Sequence, residues 1–380
     1  METRLKLYLN SLVANNGSDL HIKSGSHVRV RVHGALKKLG EEQLASAQLN
    51  TLAQEITTKS QYQHLLEERS LDFTYVLDEK SRFRVNFFFQ MDGLSAVFRV
   101  IPVDIPTLEE LKLPEVIASF AQMQRGLVLV TGVTGSGKST TLAALIDRIN
   151  STLPKHIITL EDPIEFVHKD KKALINQRSV GEDTNSFGDA LRAALREDPD
   201  IILVGEIRDL ETIDLALHAA NTGHLVFSTL HTLDAKETIS RIVGMFAKEE
   251  QNRVRGALSS VLAGVISQRL VPTASGSRTA VAEVMVATSR IAEMIADGRD
   301  VEIPDAIEEG KEIYGSQTFD QHLLDLVDQR VIMQEVALEY ATSPSDLKLK
   351  FQGIGRGGKK GSKVDDAAQM DAFEIKSDDD

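Results

Sequence analysis

The spacing of apolar residues changes period along this chain and divides it. Leu5, Leu9, Leu12 and Val13 recur at helical spacing, which predicts an amphipathic helix over 4–15, ended by Asn15-Asn16-Gly17. A strand pattern begins at Ser18-Asp19-Leu20-His21-Ile22. Val28, Val30 and Val32 then alternate with Arg29, Arg31 and His33, as a half-buried strand does. Gly34 turns the chain, and residues 46–67 are helical in composition. A hairpin follows: Arg82 to Phe89 alternates, Asp92-Gly93 is a two-residue turn signal, and Ser95 to Val100 alternates again. With Asp92-Gly93 as the turn, Met91 pairs with Leu94 and Asn86 with Arg99. Arg84 and Arg99 then share a face, one diagonal step of ~7–8 Å apart. The opposite face, with Phe83, Val85, Phe87, Ala96, Phe98 and Val100, is the expected core. Residues 1–100 therefore read as a small α+β domain with arginines on an outer face. From this stretch alone those arginines read as solvated.

Residues 101–115 carry Pro102 and Pro106 and read as a linker. From 126 to about 290 apolar strands alternate with helical patterns, the signature of a parallel α/β sheet. The expected strands are 127–131, 156–161, 201–206, 225–231 and 279–287, with short helices over 289–350. The end changes character: 353–363 is rich in Gly and Lys, and 365–380 is acidic and finishes in Asp378-Asp379-Asp380. Such a tail buries too little apolar surface to fold alone, so 351–380 is expected to be disordered.

The strand expected at 127–131 leads into Gly132-Val133-Thr134-Gly135-Ser136-Gly137-Lys138-Ser139, which fits G-x-x-x-x-G-K-[ST]. A helical pattern starting at Thr140-Thr141 follows, so the motif sits between strand and helix, the context it needs. Gly132, Gly135 and Gly137 let backbone N–H groups approach phosphate oxygens. With Thr134, Ser136 and Thr140 they form the expected phosphate cradle, at a helix N-terminus whose dipole favours anions. Lys138 is expected on the β- and γ-phosphates and the Ser139 hydroxyl on Mg²⁺, which makes ATP and Mg²⁺ the implied cofactors.

Parallel sheets place ligands at the C-terminal ends of their strands. Glu161-Asp162-Pro163-Ile164-Glu165 follows one strand, Gly205-Glu206-Ile207-Arg208-Asp209 another, and His224 and His231 flank a third. Glu206 follows an apolar strand as an acidic Walker B residue does. It can polarise water or lie behind Mg²⁺. Glu161 and Glu165 form a second acidic pair, and for Glu161 and Asp162 a strand-end cap remains an alternative. Two histidines beside an acidic cluster point to at least one that meets nucleotide.

Composition narrows the classes. The 380 residues carry a net charge of −13, which argues against nucleic acid as the main partner. With no cysteine there is no disulfide framework or cysteine-ligated zinc. No apolar run approaches a membrane span and the N-terminus is not a signal peptide, so a cytoplasmic protein without membrane insertion is expected.

Four segments together resemble one family: 132–140, Thr159 to Phe166, Leu195 to Asp209 and Thr222 to Thr232 are similar to the Walker A, Asp box, Walker B and His box of type II/IV secretion ATPases. The likeness runs from Gly17-Ser18-Asp19-Leu20-His21-Ile22 to about residue 350, and its details resemble the type IV pilus retraction ATPases, PilT and PilU. It implies a PAS-like domain over 1–100 and a RecA-like P-loop NTPase domain with C-terminal helices over 116–350. It also implies a homohexameric ring at the inner-membrane pilus base, working with a platform protein and a paralogous retraction ATPase. By resemblance Glu206 leads as catalytic residue, with Glu206 and Ser139 at the metal, then Glu165 and Glu161. His224 and His231 match the His box. Arg84 and Arg99 match arginines that reach the nucleotide, which reverses their solvated reading; they are expected to come from a neighbouring subunit.

Ser289 to Asp297 departs from the PilT pattern Ala-Ile-Arg-Asn-Leu-Ile-Arg-Glu. Ile105 to Glu115, Ser343 to Lys350 and the tail look more like PilU, while the Walker B surroundings look more like PilT. The lean is to PilU. Pilus extension or type II secretion ATPases are the nearest alternative, but they carry a longer N-terminal region and often a four-cysteine zinc site. A nucleotide-binding adaptor with little ATPase of its own is another, and a DNA-handling RecA-like motor would want a basic channel.

Overall fold

The computed structural model describes residues 1–32, 34–78, 81–101 and 104–353, and within them the chain builds two sheets. The first comprises β1 (Gly17–Lys23), β2 (Ser26–Val32), β3 (Ala35–Leu44), β4 (Ser70–Asp78), β5 (Ser81–Gln90) and β6 (Gly93–Ile101). All its pairings are antiparallel, in the order β3-β2-β1-β6-β5-β4. Its inner face is a core of Phe83, Val85, Phe87, Ala96 and Phe98, closed by helices Glu2–Ala14 and Ser46–Ile56. Phe73 stacks on Phe87 at 5.9 Å, and Phe98 meets Phe87 edge-on at 6.3 Å. Val100, expected in this core, is only half-buried.

The hairpin differs from its expected register by two residues. Gln90 pairs with Gly93, so Met91 and Asp92 make the turn, and Arg84 faces Arg99 directly. Gly93 belongs to β6 because its backbone must pass close to another helix. It has φ +114, and a Cβ there would sit 2.4 Å from Ser46 Oγ. A shift of two keeps the side-chain parity, so the arginines stay on one face but become direct neighbours. The helical stretch 46–67 is broken at Thr57-Thr58. Thr58 caps a new helix, Lys59–Glu68, in a capping box with Gln61.

The second sheet is α/β, as the alternation predicts. It contains β7 (Gly126–Thr131), β8 (His156–Glu161), β9 (Leu174–Ser179), β10 (Ile201–Val204), β11 (Leu225–Leu230), β12 (Leu262–Pro272) and β13 (Arg278–Val286), in the order β13-β12-β7-β11-β10-β8-β9. All pairs are parallel except β12 with β13. β7, β10 and β11 are buried at every position, as strands covered by helices on both faces must be. The expected strand 201–206 ends at Val204, and the structure adds β3, β4, β9 and β12 to the expected set. Short helices from Ser289–Asp297 to Pro344–Phe351 follow. Phe319, Leu323, Leu326 and Leu347 pack with Val271 and Val281. Arg269 fastens them to the sheet: its guanidinium lies 3.9 Å from the Phe319 ring and donates to the Tyr340 carbonyl. Most of the tail, from 354 on, lies outside the described residues, as do Pro102 and Val103 of the expected linker.

Candidate nucleotide site

A cavity of about 640 Å³ opens between the two sheets, walled by the loop after β7, the ends of β8 and β10, and the outer face of β5 and β6. Of the residues singled out in the sequence, Thr134, Gly135, Gly137, Lys138, Ser139, Thr140, Glu161, Glu165, Glu206, His231, Arg84 and Arg99 all line it.

The loop is shaped by what lies beneath it. Gly132 has φ +138, and a Cβ there would stand 2.4 Å from the Gln268 carbonyl. Gly132 and Ser136 are absent from the cavity wall and form the floor of the loop instead; Ser136 is 2% exposed. The Lys138 ammonium folds back to the carbonyls of Gly132 (2.8 Å) and Val133 (3.1 Å). Burial pushes its pKa down, and the charges of Glu206 and Glu165 oppose that shift. Helix Lys138–Thr152 starts at Gly137 with no side-chain cap, so its first N–H groups and its dipole face the cavity.

Glu206 lies two residues beyond β10, on a backbone pinned at both sides. Gly205 N–H donates to the Leu160 carbonyl (2.7 Å) and Ile207 N–H to the Thr229 carbonyl (3.0 Å). Its carboxylate pairs with Arg208 and stands 3.5 Å from His231 Nε2. Glu161 ends β8 and accepts from Thr159 Oγ1 (2.6 Å) and Gln177 Nε2 (3.2 Å). Burial raises its carboxyl above the usual range, against the pull of those bonds. Glu165 is exposed at the rim, and its N–H reaches Glu161 Oε2 at 3.5 Å.

His224 does not belong here. It precedes β11, whereas the phosphate loop follows the parallel strand β7, so it sits at the opposite end of the strands. The six residues of β11 separate it from His231, ~20 Å at the usual rise. Its Nδ1 lies 2.9 Å from the Ala219 carbonyl. The two arginines also differ from expectation: they line the cavity of their own chain, because β5 and β6 face the phosphate loop within one protomer.

Three wall or support residues were not singled out. His168 lines the cavity as a neutral ring, its pKa pushed down to about 4 by burial. Arg278 enters from the start of β13. Gln177, on the polar edge strand β9, clamps the Asp-box loop: it donates to Glu161 and to the Phe166 carbonyl (2.8 Å) and accepts from His168 N–H (2.8 Å). Polar strands have little apolar alternation, so the only sequence signal for Gln177 is its distance from the acidic run. Among the described residues no three His, Cys, Asp or Glu side chains form a metal cage. The oxygen donors on the wall instead suit Mg²⁺ held by Ser139 and phosphate, as Mg²⁺ usually is.

A largely parallel sheet whose first strand ends in a glycine-rich loop, with a lysine and an acid after the strand two places away at one cavity, defines a P-loop nucleotide-binding protein. Residues 1–309 match the type II/IV secretion system protein family. The type IV pilus retraction ATPase PilT of Pseudomonas aeruginosa is 48% identical over 329 residues, which cover 87% of this chain and 95% of that protein. The type IV pilus ATPase PilU of the same organism is 39% identical, covering 90% of each chain. The crystal structure of the pilus retraction motor PilT with bound ADP superposes with a TM-score of 0.84 at 42% identity, over 90% of this chain and 98% of that one. The chain belongs to the type II/IV secretion system protein family, among its PilT/PilU-type retraction ATPases.

Proposed function

We propose that this chain is a subunit of a homohexameric motor that hydrolyses ATP to drive type IV pilus retraction. The observation that carries the reading is the single cavity that joins the phosphate loop, Glu206 and the paired arginines Arg84 and Arg99. The loop glycines, Lys138 and the open helix start bind the phosphates, with Mg²⁺ at Ser139 and Glu206 behind it. When bound, Mg²⁺ neutralises charge on the β- and γ-phosphate oxygens. Glu206 orients the attacking water, and His231 beside it senses the γ-phosphate end. Glu165 and Glu161 support Glu206 from the second acidic strand end. Arg84 and Arg99 meet charge developing on the transferred phosphoryl group. The N-terminal sheet is read as PAS-like and the second as RecA-like, with hydrolysis loosening the grip of one on the other.

The proposed setting is the cytoplasmic side of the inner membrane at the pilus base, with a platform protein and a paralogous retraction ATPase as partners. Among the described residues no helix is long and apolar enough to cross a membrane. Purified chain with ATP and Mg²⁺ tests the reading. Glu206→Gln should bind ATP with little change and turn it over ~100-fold more slowly or worse, the scale of losing a group that acts on the transition state. Wild-type turnover in that variant removes Glu206 from the role. Unaltered retraction in cells lacking the protein and its paralogue removes the motor reading.

A further inference from the structure

A row of charge crosses four adjacent strands of the first sheet. In direct register stand Arg84 on β5, Arg99 on β6, Asp19 on β1 and Arg31 on β2. Like charges directly opposite on a sheet face repel, so Arg84 and Arg99 would be expected to splay apart. Asp19, on the side of Arg99 away from Arg84, offsets part of that charge and draws the Arg99 stem to itself. It is 5% exposed, while the Arg99 side chain is 67% exposed. Arg99 Nε donates to Asp19 Oδ1 at 2.8 Å, Ser18 Oγ donates to Oδ2 at 2.7 Å, and Arg31 Nε stands 3.8 Å away. The bond to Arg99 uses Nε, the nitrogen nearest the stem, which leaves both terminal amino groups to serve the cavity that Arg99 lines. Arg84 has a weaker counterpart: its Nε is 3.6 Å from Asp72, a half-exposed carboxylate that also accepts from Asn86.

We infer that Asp19 is a positioning residue for nucleotide hydrolysis: it anchors Arg99 by its stem so that the guanidinium end is fixed toward the phosphates before nucleotide arrives. A buried carboxylate loses little conformational freedom on forming this bond, and the entropy of ordering Arg99 is met in the fold rather than at each turnover. Burial alone would raise the Asp19 carboxyl, but the bonds from Arg99 and Ser18 outweigh it and hold the group below its usual range, ionised at neutral pH. The same argument gives Gly17-Ser18-Asp19 a purpose that its place in a strand does not: a strand end needs no buried acid.

The inference rests on the proposed role of Arg99, and a double-mutant cycle on the full chain separates the two. Asp19→Asn should lower kcat for ATP about five- to ten-fold, within the range of coupling between contacting charged groups, with KM moving less. In an Arg99→Ala background the same change should do nothing further, and Asp19→Glu should regain part of the lost turnover. Loss in Arg99→Ala with wild-type kcat in Asp19→Asn overturns the positioning role alone, as do additive losses in the double variant, which mark a merely structural acid. Unchanged turnover in Arg99→Ala overturns both. Because Asp19 is buried, unfolding midpoints are measured in parallel. If Asp19→Asn does not fold, Ser18→Ala, an exposed change that removes one bond to the same carboxylate, carries the cycle. It should lower kcat about two-fold, and not at all beside Arg99→Ala; a full effect in both backgrounds overturns the role.

Discussion

The two sheets deliver side chains to one cavity by different routes. The parallel sheet is buried on both faces, so its functional groups can emerge only where strands end; Glu161, Glu206 and His231 all do. The antiparallel sheet keeps one face open, so Arg84 and Arg99 reach the cavity from mid-strand, where register rather than chain order decides which side chains meet. The contrast extends to buried acids. Asp19 and Glu283 are both nearly inaccessible. Asp19 has arginines in its own row and stays ionised. Glu283 accepts the Ala235 N–H at 2.8 Å, and burial pushes it up to about 7. Asp234 and Asp320 add to that rise, and Arg269 opposes it.

The largest effect that bears on this contrast is on turnover. Arg99→Ala and Arg84→Ala should each lower kcat ~10- to 100-fold, since each removes charge proposed to meet the transition state. Arg84→Ala should shift the unfolding midpoint little, because its side chain is 39% exposed, whereas Arg99→Ala also removes the nearest charged partner of the buried Asp19 and should lower the midpoint moderately. A large drop in stability with unchanged kcat would make the open face structural and remove the contrast.

Glu283→Gln addresses the buried-acid half. Between about 4.5 and 7 the folded chain holds a proton there that the unfolded chain has lost, so stability falls as pH rises through that window, and the deficit is complete above it. The variant keeps an acceptor for Ala235 and removes the charge. It should be more stable than wild type at pH 8, by ~3 kcal/mol at most, and no more stable at pH 4. Urea denaturation at the two pH values measures this, and an equal change at both would place the charge elsewhere. The smallest effect is expected at the far end of β11: His224→Ala should leave nucleotide affinity within about two-fold, because ~20 Å of strand separates it from the cavity. A ten-fold loss by equilibrium binding would mean that another protomer's site reaches it.

This division also decides what could be read from the chain. The phosphate loop and the acids after β8 and β10 are contiguous runs beside apolar strands, and their type and spacing located them. The shared face of Arg84 and Arg99 was legible because parity survives a register shift of two. Their direct opposition was not, since the reason lies 47 residues earlier in Ser46, against which Gly93 packs. Strand β9 was missed because Leu174-Ile175-Asn176-Gln177-Arg178-Ser179 is an edge strand with no apolar alternation, and with it went Gln177. His224 was misplaced because a histidine before a strand and one after it look alike in sequence, whereas strand direction puts them at opposite ends of β11.

The central claim is that one chain supplies both walls of its cavity, the phosphate loop and the arginines. Mixing Lys138→Ala chains with Arg99→Ala chains tests it most directly. If the walls belong to one chain, every subunit in the mixture is defective, and ATP turnover stays at the weighted sum of the two variants at every ratio. Recovery of turnover above that sum, greatest near equal mixing, would contradict the account and place Arg99 in a neighbouring subunit's site.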